Sequence, residues 1–211
     1  MAAQITALSL MQDAPVIPVI VLHSTEHAVP MAEALLAGGI HVLEVTLRTP
    51  QGLACIEAIA KAVPQAIVGA GTVRNAADAA AAANAGARFA VSPGYTSALG
   101  QACRKLNLPL LPGVATSSEI MAAQEDGFGE LKFFPAVQSG GIQMLKAWQG
   151  PFGDVRFCPT GGISPANAAE FLALSNVVCV GGSWLVPGSA LENGHWSQIT
   201  DLAQATHKLR A

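Results

Sequence analysis

Lys132 is the residue in this chain of 211 whose placement most needs a chemical reason. The run Leu131-Lys132-Phe133-Phe134-Pro135 reads as a strand, and side chains alternate along a strand, so Lys132 and Phe134 face one way together. The other lysines, Lys61, Lys105, Lys146 and Lys208, fall in helical or terminal stretches where the ammonium stays in water. Lys132 alone sits mid-strand between large apolar residues, and lysine is almost never fully buried unless it is paired. A desolvated lysine has a lowered pKa, and its lone pair can attack a carbonyl to form a Schiff base.

A second strand supplies the matching acid. In Leu43-Glu44-Val45-Thr46-Leu47-Arg48, the alternation puts Glu44, Thr46 and Arg48 on one face and the aliphatic residues on the other. The aliphatic face must pack on helices, so Glu44, Thr46 and Arg48 are expected to point inward. Buried Glu and Arg are expensive unless paired or used. A Glu44–Arg48 pair filling the interior, or a Lys132–Glu44 salt bridge, are the structural readings. The functional reading gives Glu44 the proton transfers that Schiff-base chemistry requires. It gives Arg48 a substrate carboxylate, held by two parallel hydrogen bonds. One amine, one acid and one anion clamp point to a keto-acid.

Glycine-rich turns add an anion site. Thr160-Gly161-Gly162-Ile163-Ser164-Pro165 and Gly181-Gly182-Ser183 each follow a predicted strand, and glycines let backbone N–H groups approach an anion closely. Gly69-Ala70-Gly71-Thr72 and Ser92-Pro93-Gly94 also end strands, where Thr72 could hydrogen-bond a substrate. His23, His27, His41, His195 and His207 form no metal-binding spacing, and Glu44 is nearly alone among strand-end carboxylates, which favours chemistry without metal or cofactor. Cys55, Cys103, Cys158 and Cys179 are widely spaced with no CxxC pair and are expected to be buried free thiols.

The elements that must hold these residues recur along the chain. Strand-like runs occupy 16–22, 42–47, 66–71, 88–93, 108–113, 131–135, 155–159 and 177–182, with Ala-rich helical stretches between them such as Met31–Ala37, Cys55–Ala62 and Ala76–Ala85. Thr116-x-x-Glu119 reads as a capping box, Ser164-Pro165 as an N-cap with proline at the first helical position, and Gly86 as a helix stop. Residues 1–13 read as an amphipathic N-terminal helix with Ile5, Leu8 and Met11 on one side. Strands alternating with helices imply βαβ units and a parallel sheet. Eight units of about 26 residues use the whole chain, so we expect one domain over residues 1–211, a (β/α)8 TIM barrel with an extra N-terminal helix. An open doubly wound sheet is the alternative, but no GxGxxG follows the first strand. In such barrels the active site lies at the C-terminal ends of the strands, and the loops after strands 7 and 8 often bind phosphate.

Composition narrows the function. Hydrophobic residues make up 51% and charged residues 12%, which excludes disorder. The net charge is −3 with no densely basic stretch, which argues against nucleic acid. Apolar runs such as Val16 to Leu22 are too short to span a bilayer, and the N-terminus lacks the positive region of a secretory signal.

Taken together, VLEVTLRTP, VGAGTV, VSPG, LPGVATSSE, LKFFPA, FCPTGGI and VGGSWLVP resemble the bacterial 2-keto-3-deoxy-6-phosphogluconate / 4-hydroxy-2-oxoglutarate (KDPG/KHG) aldolases, from about Pro15 to Pro187. The resemblance implies a cofactor-free class I pyruvate aldolase of the Entner–Doudoroff pathway, cytoplasmic and commonly a homotrimer. It implies that Lys132 forms the Schiff base, that Glu44 is the general acid/base, and that Arg48 and Thr72 bind the pyruvate carboxylate. Pro93 and Phe134 would line the site, Gly161, Gly162 and Ser183 would hold phosphate, and Thr160 would border the sugar tail. Two positions depart from the pattern: Val137 stands where an acidic residue is usual, and Tyr95 follows Ser-Pro-Gly. The rival readings are a non-catalytic barrel that binds sugar phosphates, and a barrel isomerase or decarboxylase, which would leave Lys132 unexplained.

Overall fold

The computed structural model describes residues 5–210. It is an α/β fold in which every strand pairing is parallel. Strands β1 (Val16–Ile20), β2 (Val42–Thr46), β3 (Ile67–Gly71), β4 (Ala90–Val91), β5 (Leu110–Leu111) and β9 (Val180–Gly182) form a sheet in the order β5-β4-β3-β2-β1-β9. A second sheet holds β6 (Gly113–Val114), β7 (Glu130–Phe133) and β8 (Arg156–Pro159) in that order. Isolated bridges Phe157↔Val177 and Thr160↔Gly181 connect β8 to the segment carrying β9.

Each strand-like run contains an observed strand, but the boundaries contract. The run 108–113 is divided into β5 and β6 by Pro112, which has no N–H to give a ladder. The chain continues through the break, because the Pro112 carbonyl accepts from the Lys132 N–H at 2.8 Å. The run 42–47 ends at Thr46, and Leu47 already belongs to a turn.

Helices α2 (Ala28–Ala37), α3 (Gly52–Ala62), α4 (Ala76–Asn84), α5 (Ser97–Lys105), α6 (Ser117–Glu125), α7 (Gly141–Trp148), α8 (Ala168–Leu172), α9 (Gly188–Glu192) and α10 (Trp196–Thr206) follow α1 (Ala7–Asp13). Two local signatures are realised. The Thr116 hydroxyl accepts from the Glu119 N–H while the Glu119 carboxylate accepts from the Thr116 N–H, closing the capping box. Gly86, with φ +90°, follows the end of α4 in the left-handed region that favours glycine. The Ser164 cap is a correction. Residues 165–167 form a turn and α8 begins at Ala168, because the Asn167 side chain caps the Ser164 N–H at 2.9 Å and donates to the Gly162 carbonyl at 3.0 Å.

The apolar residues fall into two clusters. Leu43, Val45 and Val68 lie in the larger one with helix residues such as Met31, Leu35, Ile56 and Ile59. The opposite strand faces supply Ile17, Val42, Phe89, Val91, Leu111, Cys158 and Cys179, which pack with Leu10 and Met11 of α1. The strand period of two therefore divides the chain between an outer, helix-facing core and an inner one. Helix α1 covers the inner cluster and is fixed by reciprocal Thr6–Ser9 capping bonds. Of the expected helix 1–13, residues 1–4 lie outside the described residues. Among the described residues no helix is long and apolar enough to cross a membrane.

Candidate active site

Register brings the two strand charges together. Glu44 pairs with Val19 of β1 and Gly69 of β3, and Lys132 pairs with Gly113 of β6 and Cys158 of β8. Both side chains reach across the inner space, so Lys132 Nζ donates to Glu44 Oε1 at 3.1 Å although the residues are 88 apart in sequence. Each is 3% exposed. Lys61, Lys105, Lys146 and Lys208 are all exposed, as their helical or terminal positions predict.

The energetics argue that this pair is not there for stability. At 3.1 Å and an effective dielectric of about 20 the attraction is roughly 5 kcal/mol. Desolvating the two ions costs several kcal/mol each, so a well-packed apolar pair would serve the fold as well or better. What the pair provides is a dry amine beside a carboxylate. The Phe134 ring helps hold the amine, its centroid 5.3 Å from Lys132 Nζ.

Small residues make the space. A Cβ at Gly71 would overlap Glu44 Oε1, and one at Gly181 would overlap the Thr160 hydroxyl. Gly71→Ala is therefore expected to push the carboxylate off the amine and lower kcat by about 100-fold, the effect of a displacement near 1 Å. Circular dichroism on the same sample checks that the fold is kept.

Arg48 corrects the inward expectation. It lies beyond the end of β2, in a turn, and its side chain is exposed at the mouth rather than buried in the strand interior. There Arg48 Nε donates to Thr72 Oγ1 at 3.1 Å. Thr72 has φ +62°, a left-handed conformation costly for a β-branched residue. Such strain is kept where the surroundings need the side chain in one place. Thr72→Gly should relieve it and raise stability by about 1 kcal/mol, while KM for an anionic substrate rises because Arg48 loses its hydrogen-bond partner. Thermal unfolding and steady-state kinetics on one preparation read both effects.

Arg48, Phe134, Thr160, Gly161, Gly162 and Ser183 line one cavity of about 120 Å³, together with Val19, Ile163, Gly181 and Gly182. Gly161 (φ +102°) and Gly162 (φ +74°) both adopt the left-handed region. Among the described residues no hydrogen bond uses their N–H groups, while the Gly161 carbonyl is taken by the Val137 N–H at 3.1 Å. This loop can donate to an anion. Pro93 is not brought to that cavity; it lines another, of about 190 Å³, with Arg74, Gly94, Tyr95, Thr96 and Leu99.

The two departures are also placed. Val137 is 44% exposed and packs against Gly162, giving the anion loop an apolar rim. Tyr95 is tied away from the small cavity: its hydroxyl donates to Asp126 and its ring meets Phe128 edge-on at 5.4 Å. The hydrogen bond from Tyr95, together with Ser97 and the Arg104 charge, holds the Asp126 carboxyl below its usual value. The four cysteines are buried and free. Burial pushes the Cys103 thiol up to about 11; burial, with Cys158 and the Glu44 charge adding to it, holds the Cys179 thiol well above its usual value, so neither is a thiolate nucleophile near neutral pH. Sequence reading missed Gly71 and Gly181 as space-makers and Val19 as a cavity wall.

Comparison with known proteins shows the family. Residues 8–202 match the family model for KDPG and KHG aldolase. The KHG/KDPG aldolase of Escherichia coli is 56% identical over 199 residues, covering 94% of this chain and 93% of that protein. The 2-dehydro-3-deoxy-phosphogluconate aldolase of Dickeya dadantii is 53% identical over 199 residues, covering 94% of this chain and 93% of the relative. The crystal structure of KDPG aldolase from Legionella pneumophila, with pyruvate captured as a covalent carbinolamine intermediate, superposes with a TM-score of 0.95 at 50% identity, covering 97% of this chain and all of that one. With a family model matching most of its length and relatives more than 50% identical along nearly all of it, the chain belongs to the KDPG and KHG aldolase family.

Proposed function

We propose that this chain reversibly cleaves 2-keto-3-deoxy-6-phosphogluconate to pyruvate and glyceraldehyde 3-phosphate, and 4-hydroxy-2-oxoglutarate to pyruvate and glyoxylate, through a Schiff base on Lys132. The observation that carries the reading is the dry Lys132–Glu44 pair, 3.1 Å apart beneath a mouth with an arginine on it. Lys132 Nζ attacks the C2 ketone and water leaves, giving an iminium that withdraws electrons from the C3–C4 bond. Glu44 takes the C4 hydroxyl proton, directly or through a water, as that bond breaks and the aldehyde departs. The electron pair passes to the enamine, which Glu44 reprotonates at C3. Water then hydrolyses the iminium and frees pyruvate and the amine.

Arg48, set by Thr72, holds the carboxylate throughout. Gly161, Gly162 and Ser183 receive the distal phosphate, Thr160 borders the tail, Phe134 packs on the amine side, and Pro93 lines the mouth on the far side. The two left-handed glycines, whose N–H groups no hydrogen bond uses among the described residues, support this half of the site.

The finer architecture belongs to the same reading. With β5 and β6 counted as one strand across Pro112 and the two bridges beside β8 as its seam, the sheets form a single (β/α)8 barrel domain with α1 as an extra helix at its closed end. A cytoplasmic homotrimer that binds neither membrane nor nucleic acid is the assembly that goes with the resemblance, and light scattering measures its stoichiometry.

Pyruvate release from KDPG, from its galacto epimer and from 4-hydroxy-2-oxoglutarate, coupled to lactate dehydrogenase, tests the function and ranks the substrates. Calorimetric binding of sugar phosphate with no pyruvate released from any of the three would instead identify a binding protein.

A further inference from the structure

A third cavity adjoins the one lined by Arg48, Gly161 and Gly162. It holds about 300 Å³, at the lower end of the range for small-molecule sites, and shares Val19 and Ser183 with its smaller neighbour. Its walls are otherwise different in chemistry. Val21, Val186 and Leu191 give it an apolar surface, and the charged group on its rim is the Glu192 carboxylate, with His23 beside it. Lysine and arginine are absent from its lining, so an anion gains nothing there, whereas the glycine loop next door favours one. Val19 is the register partner of Glu44, whose carboxylate touches Lys132. A chain leaving the reacting centre over Val19 can therefore turn to either cavity.

We propose that this annex is an acceptor subsite for the uncharged, apolar tail of an aldehyde, giving the enzyme a second class of electrophile in the bond-forming direction. The proposal rests on the Schiff-base reading above and extends it to another substrate class. Pyruvate held on Lys132 as its enamine forms a bond from C3 to the aldehyde carbon. The carbonyl π electrons move to the aldehyde oxygen, which takes a proton from the Glu44 carboxyl. Water adds to the resulting iminium, the amine of Lys132 leaves, and a 4-hydroxy-2-oxo acid with an alkyl tail is released.

The test uses the full chain, wild type and Val21→Trp, which places an indole in the annex from a half-buried position. Leu191→Gln is the second variant, removing apolar surface without added bulk should the tryptophan disturb folding. Saturation-transfer NMR with 1-hexanol reads occupancy, independently of turnover. Condensation of pyruvate with propanal, butanal, pentanal and hexanal reads the chemistry, and pyruvate with glyoxylate is the control. Wild type should saturate hexanol, and kcat/KM should climb by about threefold to fourfold per added methylene, as burial of each group predicts. Either variant should abolish the hexanol contact and flatten the series, with the glyoxylate rate unchanged.

No hexanol contact, a contact that both variants retain, or a flat series on an enzyme that condenses glyoxylate would overturn the annex. Loss of glyoxylate condensation itself, with the hexanol contact present and sensitive to the variants, would leave the apolar site standing and refute the aldolase reading instead.

Discussion

Lys132→Ala should release no pyruvate above the uncatalysed background from any keto-acid, and borohydride with pyruvate should label nothing. The amine is the one group in the site able to form the iminium, so no neighbour restores the reaction. The variant also leaves Glu44 buried without its cation, which typically costs about 3–5 kcal/mol unless the carboxyl takes up a proton. Lys132→Met separates the two effects, because it fills the volume while removing the nucleophile. Methionine should keep more of the stability than alanine and recover none of the activity. Partial activity in either variant would place the nucleophile elsewhere.

Glu44→Gln should behave differently. The amide keeps the shape and still accepts a hydrogen bond from Lys132, so the Schiff base forms and borohydride trapping persists. Proton transfer at the C4 oxygen and at C3 is lost, and kcat should fall by roughly 10²- to 10⁴-fold, the range for a missing general acid/base. Trapping retained with turnover lost is the signature. Equal loss of both would make Glu44 a support for the lysine rather than the proton carrier. Full activity would return it to the role of a structural salt-bridge partner.

How far these residues could be read without coordinates depended on the distance over which each constraint acts. Glu44 and Lys132 were legible because strand alternation is local and both strands present an apolar face that must go to helices. Their contact is made across the inner space between strands of two different sheets, which neither strand's sequence encodes alone. Arg48 fits the same alternation, yet β2 stops at Thr46, so counting by twos carried it into an interior that the chain has already left. The Gly161-Gly162 loop was legible because consecutive glycines before a helix have few uses. The left-handed Thr72 was not, since nothing in Gly-Ala-Gly-Thr distinguishes a relaxed threonine from a strained one. Pro112 removes a ladder donor and the strand divides there, whereas β1 runs on through Pro18, so a proline in a strand run does not by itself mark a break. Ser164-Pro165 met a reasonable capping rule, but the Asn167 side chain bonds the Ser164 N–H and the helix starts later. The apolar annex takes its walls from the ends of two strands and from α9, so no single segment announces it.

The central claim concerns one nitrogen, and incubation of the wild-type enzyme with pyruvate and sodium borohydride, followed by peptide mass mapping, tests it most directly. The account predicts a single adduct of one reduced pyruvate per chain, on the peptide Leu131-Lys132-Phe133 and at Lys132 itself. An unlabelled chain that still releases pyruvate from its substrate, or an adduct on Lys61, Lys105, Lys146 or Lys208, would contradict it.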